Sequence, residues 1–166
     1  EQFNEIYKVG IPIMIQDAPL SGIELSVPLL TKMINEIENL TCFKIEIANA
    51  ASKIRPLIKN CGERLDAPFD GEESITLYAD LEAGISGSMS SALLPEKIAP
   101  VIDYFWNNEK DKAEEVYNSI LPLINFENRQ CGFRATKTVM KEGGVIKSDV
   151  CRDPIKPVSY THLRAH

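Results

Sequence analysis

Apolar residues along this chain gather in short runs separated by amphipathic stretches of helical length. The run from Ile11 to Gln16 is almost wholly apolar, as expected of a strand covered on both faces in a parallel sheet. Leu29, Leu30, Met33, Ile34 and Ile37 then recur at helical spacing, which predicts a helix over 27–37. Further strands are expected at 42–47, 65–69 and 85–89, with helices over 50–59 and 71–82 between them. Residues 2–9 read as the end of a helix, and three more helices are expected at 95–106, 110–124 and 128–141. This alternation is the β-α rhythm of an α/β protein with a parallel sheet. Four such units fit half of a (β/α)8 TIM barrel, which needs ~250 residues in full. A doubly wound sheet is the competing fold. It would carry a glycine-rich phosphate loop after its first strand, whereas here that strand runs into Asp17, Ala18 and Pro19.

Composition narrows the function classes. The 166 residues are 44% hydrophobic and 25% charged, the balance of a chain that buries a core of its own. No apolar run reaches the ~18 residues of a membrane span. A net charge of -6 argues against a general nucleic-acid binder, since phosphate contacts need clustered Lys and Arg. Cys42, Cys61, Cys131 and Cys151 lie far apart, so reduced thiols and a cytoplasmic location are expected. A metal site is not expected, because the two histidines, His162 and His166, both fall in the last five residues. The stretch 158–166 departs in composition from what precedes it and is expected to be a non-native tail. The chain opens without Met on what reads as a helix, so it is expected to be truncated upstream.

The chemistry concentrates around Lys44. Strand alternation puts Lys44 and Glu46 on one face, about 7 Å apart, and Phe43, Ile45 and Ile47 on the other. In a barrel the first face is the interior, where Lys and Glu are rare unless paired or functional. Desolvation disfavours an ammonium and leaves an amine able to attack a carbonyl. The bland alternative is an edge strand with both charges in solvent. Asp70 can cap the helix expected after it, with Glu72 and Glu73 in its first turn; that structural role competes with a role in the site. Around Ser88 and Met89, small residues would let backbone N–H groups approach a carboxylate, or would simply form a loose turn.

Taken together, these stretches resemble the class I aldolase family of dihydrodipicolinate synthase and N-acetylneuraminate lyase. The residues carrying the resemblance are Met14 to Gly22, Phe43 to Glu46, Pro68 to Glu73, Ile124 to Gly132 and Lys137 to Ser148. The resemblance implies the C-terminal half of a TIM barrel plus C-terminal helices. On it, residues 1–107 run from the fifth strand to the eighth helix, and 108–157 form a helical extension. It also implies that Lys44 is the Schiff-base lysine. The family's usual tyrosine on the fifth strand is replaced by Gln16, which cannot relay protons in the same way; Glu46 then becomes the expected general base. Gln16, Asp70, Ser88 and Met89 are expected to contact the substrate.

The activity implied is dehydration of L-2-keto-3-deoxyarabonate to 2,5-dioxopentanoate. A pyruvate-dependent aldolase of the same family is the alternative. No cofactor is expected, because the lysine itself serves as electron sink. The expected partners are a small 2-keto acid and further copies of the chain, a tetramer by family analogy. An open half-barrel is expected to be inactive and poorly stable alone.

Overall fold

The structure, a computed structural model, describes residues 2–19, 22–66 and 68–155, with side chains from residue 5 onward. It divides into two compact units, residues 1–90 and 91–166. This packing boundary falls within the stretch 1–107 that is expected to run from the fifth strand to the eighth helix. The physical reason is that helix α5 (Pro95–Trp106) packs on α6 (Lys110–Phe126), burying Ile98, Val101 and Phe105 on one and Ala113, Tyr117, Ile120 and Ile124 on the other.

In the first unit, α1 (Gln2–Tyr7) precedes β1 (Ile13–Asp17), α2 (Val27–Glu36), β2 (Leu40–Ile45), α3 (Ala50–Cys61), β3 (Phe69–Asp70), α4 (Leu77–Ala83) and β4 (Gly87–Ser88). The four strands form one parallel sheet in the order β1-β2-β3-β4, so β1 and β4 lie at its edges. Phe43 and Ile45 of β2 are fully buried, together with Leu30 and Ile34 of α2 and Ile54 and Leu57 of α3. Helix α2 starts where the sequence favours it: the Ser26 hydroxyl accepts from the Leu29 N–H, and Pro28 occupies a first-turn position.

Several boundaries differ from expectation for local reasons. Pro12 has no N–H to give the ladder, and β1 starts at Ile13. The third strand, expected at 65–69, is reduced to Phe69–Asp70. A 3-10 turn at Gly62–Arg64 occupies the approach, and Pro68 again lacks a donor; its carbonyl still accepts from the Ser86 N–H at 3.1 Å. Ala67 lies outside the described residues. The fourth strand likewise shortens to Gly87–Ser88.

The helix expected over 71–82 begins only at Leu77. Asp70 does not cap it. Its carboxylate instead accepts from the Glu72 and Ser74 N–H groups, and Glu73 and Ser74 adopt left-handed backbone at φ 57° and 68°, which interrupts helical geometry. Ile47, expected on the helix-covered face, lies beyond the end of β2 and lines a cleft.

In the second unit, the helix expected over 128–141 is preceded and interrupted. A π-helical segment, Glu127–Cys131, continues α6, Gly132 turns the chain at φ 64°, and α7 runs over Phe133–Glu142. The tail 158–166 lies outside the described residues. Among those residues no helix is long and apolar enough to cross a membrane.

Candidate active site

Register sets the site. Gln16 of β1 stands opposite Lys44 of β2, and Lys44 opposite Phe69 of β3, which in turn faces Gly87. The next row holds Asp17, Ile45, Asp70 and Ser88. Alternation makes these two rows point to opposite faces. Ile45, in the second row, is fully buried, so the first row carries the face where lysine can reach a ligand.

On that face Lys44 Nζ lies 3.2 Å from Glu46 Oε2, and the Gln16 side-chain amide donates to the same carboxylate oxygen. The side chains of Lys44 and Glu46 are 18% and 20% exposed. That value decides against the solvated edge-strand reading and still leaves the amine reachable. The Glu46 N–H, just past the end of β2, donates to the Asp17 carbonyl at 2.9 Å, which fixes where the carboxylate emerges. Amine, carboxylate and amide thus form one chain of contacts. Cys42 precedes Lys44 by two residues, and burial, assisted by the charge of Asp66, pushes its thiol up to about 11. It is an inert neighbour rather than a rival nucleophile. All four cysteines are free.

The carboxylate of Glu46 opens onto a cleft of about 480 Å³ lined also by Pro19, Glu24, Ile47, Ala48 and Glu72. Of the loop that carries Pro19, residues Leu20 and Ser21 lie outside the described residues. Among the described residues no group of three His, Cys, Asp or Glu side chains is placed to hold a metal ion.

The remaining expected contacts sort differently. Asp70 is fully buried, and both its carboxylate oxygens accept hydrogen bonds from the chain itself: from Glu72 N at 2.7 Å, Ser74 N at 2.9 Å and Ser88 Oγ at 2.7 Å. Burial raises its carboxyl above the usual aspartate value, with those hydrogen bonds opposing. The Ser88 hydroxyl is engaged there and with Ser74. Met89 is half-buried, and its N–H donates to the Asp70 carbonyl at 2.9 Å. Gln16, Lys44 and Glu46 are therefore brought together, while Asp70 and Ser88 form a second cluster in the adjacent row.

A third group was not anticipated from the sequence. Asp17, 1% exposed, receives the Lys53 ammonium at 2.6 Å, and Lys53 also reaches Glu24 at 3.1 Å. Asp17 additionally accepts from the Leu25 N–H at 3.0 Å. The cluster ties the end of β1 and the loop after it to α3. A signal was present: Lys53 falls in the apolar stripe Ala50, Ile54, Leu57 and Cys61, where a solvated lysine does not belong.

Comparison with known proteins bears on the fold and the family. The chain matches the dihydrodipicolinate synthetase family over residues 1–165. It is 48% identical over 147 residues to the L-2-keto-3-deoxyarabonate dehydratase of Azospirillum brasilense, covering 89% of this chain and 48% of that one. In structure it is similar to the dihydrodipicolinate synthase of Rhodopseudomonas palustris, with a TM-score of 0.85 and 22% identity over 98% of this chain and 58% of that one. It is likewise similar to the chloride-inhibited dihydrodipicolinate synthase of Acinetobacter baumannii complexed with pyruvate, with a TM-score of 0.80 and 20% identity over 92% and 52% of the two chains. The chain spans about half the length of the curated relatives it matches. Its fold is the C-terminal half of a (β/α)8 barrel with C-terminal helices. The chain belongs to the dihydrodipicolinate synthetase family.

Proposed function

We propose that this chain carries the nucleophile and the general base of a Schiff-base hydro-lyase that dehydrates L-2-keto-3-deoxyarabonate. The observation that carries the reading is the contact chain Lys44–Glu46–Gln16 on the ligand-accessible face of the sheet. The 48% identity to a dehydratase of that name supports the substrate.

In this reading the Lys44 amine adds to the C2 ketone, and loss of water gives an iminium. The positive nitrogen acidifies C3–H, and Glu46 takes that proton, giving an enamine. The electron pair of the enamine expels the C4 hydroxyl, which leaves as water with a proton supplied by the site. Loss of a proton from C5 and return of one to C3 leave a C4=C5 enol, which becomes the aldehyde by gaining a proton at C4 and losing its O–H proton. Hydrolysis then consumes one water, frees Lys44 and releases 2,5-dioxopentanoate. One molecule of water is lost overall. The iminium takes up the electrons itself, so the sequence needs no cofactor. Gln16 can orient Glu46 by donating to it, while the Lys44 ammonium balances its charge until imine formation.

The expected physiological form is a cytoplasmic homo-oligomer acting on a small 2-keto acid. The test is reductive trapping in the longest native chain containing these residues. Incubation with a 2-keto acid and borohydride should add the mass of the reduced adduct to Lys44 and abolish activity, and Lys44→Ala should gain nothing. Absence of the adduct on Lys44 sinks the reading. Product analysis separates the alternative, since pyruvate release marks an aldolase and semialdehyde without pyruvate marks the dehydratase.

A further inference from the structure

Asp70 lies in the sheet row adjacent to Lys44, is fully buried, and spends both carboxylate oxygens on its own chain. Two of the donors, Glu72 N and Ser74 N, belong to the turn that follows it, and the third, Ser88 Oγ, belongs to β4. Ser74 and Ser88 are joined in turn by a 2.7 Å contact between their hydroxyls. The turn so held is not relaxed, because Glu73 and Ser74 both stand in left-handed backbone, a conformation that costs about 1 kcal/mol or more for residues with a Cβ.

That turn touches the catalytic lysine. Gly71 N donates to the Ile45 carbonyl at 2.8 Å. The Gly71 backbone sits so close to the site that a Cβ there would stand 3.0 Å from Lys44 Cε and 2.8 Å from Glu46 Cβ. A lysine stem has several freely rotating bonds and carries about 2 kcal/mol of rotamer entropy. Backbone this close to Cε restricts the rotamers open to the Lys44 stem.

We infer that Asp70 is a positioning residue for the Schiff-base site: by clamping the Gly71–Ser74 turn to β4, it holds the backbone that keeps Lys44 Nζ beside Glu46. The inference rests on the role proposed above for Lys44. A direct role in holding substrate is disfavoured by geometry, since the carboxylate is buried and its oxygens already accept three hydrogen bonds.

The experiment uses the longest native chain containing these residues, with pyruvate and borohydride as the trapping probe beside steady-state turnover of the sugar acid. Asp70→Asn removes the charge and one acceptor at almost unchanged volume. The expected result is a melting temperature within a few degrees of wild type, KM within about threefold, and kcat and the trapping rate at Lys44 both lowered tenfold or more. Ser88→Ala removes one of the three donors to Asp70 together with the Ser74–Ser88 hydroxyl contact, and should show the same split at smaller size; it serves where Asp70→Asn fails to fold. Trapping and kcat at wild-type rates in both variants overturn the inference and leave the Lys44 reading intact. A rise in KM with unchanged kcat also overturns it, because it would place Asp70 on the substrate. Failure of the wild type to trap pyruvate at Lys44 removes the reading itself, and the inference with it.

Discussion

Gly71 and Lys44 are in contact range across the strand end: a methyl group on Gly71 would meet Lys44 Cε at 3.0 Å and the Ile45 carbonyl at 3.0 Å. The same methyl would stand 2.8 Å from Glu46 Cβ, closer than real side chains come, so Glu46, Lys44 or the turn would have to shift. Gly71→Ala should displace Lys44 or the turn and lower kcat by tenfold or more, because a shift of about 1 Å at a reacting group costs on the order of 10²-fold. A kinetic assay beside a melting curve checks this. Wild-type turnover in the alanine variant contradicts the packing described.

The ion pair of Lys53 and Asp17 makes a stability prediction. Both side chains are almost fully buried, and Lys53 also reaches the more exposed Glu24. Lys53→Met keeps the stem and leaves Asp17 as an uncompensated buried charge, which should cost about 3–5 kcal/mol. Asp17→Asn combined with Lys53→Met should recover part of that loss, since a neutral pair no longer strands a charge. Urea unfolding of the single and double variants measures the coupling.

Asp80 makes a prediction about pH. Burial pushes its carboxyl up to about 6, with the nearby Asp70 charge adding to the rise and the Thr76 hydroxyl, which donates to it, opposing. The fold therefore holds the neutral form longer than the unfolded chain does. Below about pH 4 both states are protonated and the group is neutral in its effect on stability. Between about pH 4 and 6 the unfolded chain ionises first, so stability falls as pH rises through that window and stays lower above it. Asp80→Asn should be more stable than wild type at pH 7, by on the order of 1–2 kcal/mol, and the gain should vanish below about pH 4. Melting temperatures across pH 3.5–8 test the sign; a gain that grows toward acid refutes it.

Glu127 makes the corresponding prediction for the second unit. It is 4% exposed in the π-helical segment and accepts from Ser91 Oγ at 2.8 Å and from the Thr136 hydroxyl. Glu127→Leu would leave two hydroxyls without their acceptor, at about 1–3 kcal/mol for each group that stays buried. Glu127→Gln, which keeps an acceptor oxygen, should lose markedly less. Thermal unfolding of the two variants orders them.

Much of the fold was legible because its signals are local. Apolar runs separated by helical periodicity gave the β-α order, and the helix over Pro95–Trp106 begins and ends where its sequence places it. The Lys44–Glu46 pair was legible for the same reason, since strand alternation alone puts two residues at i and i+2 on one face. The third strand and fourth helix were less legible. Their limits depend on Pro68 in the ladder and on where the Asp70 carboxylate finds its donors, and one of those donors, Ser88, arrives from another strand.

The sequence by itself determined the parallel β-α arrangement and the shared face of Lys44 and Glu46, because backbone periodicity needs no partner to be read. The tertiary structure alone decided that Gln16 meets Glu46, that Lys53 is buried against Asp17, and that Asp70 turns to its own chain. Those contacts join residues far apart in sequence, and their energy depends on burial and distance. Both quantities exist only once the strands are in register.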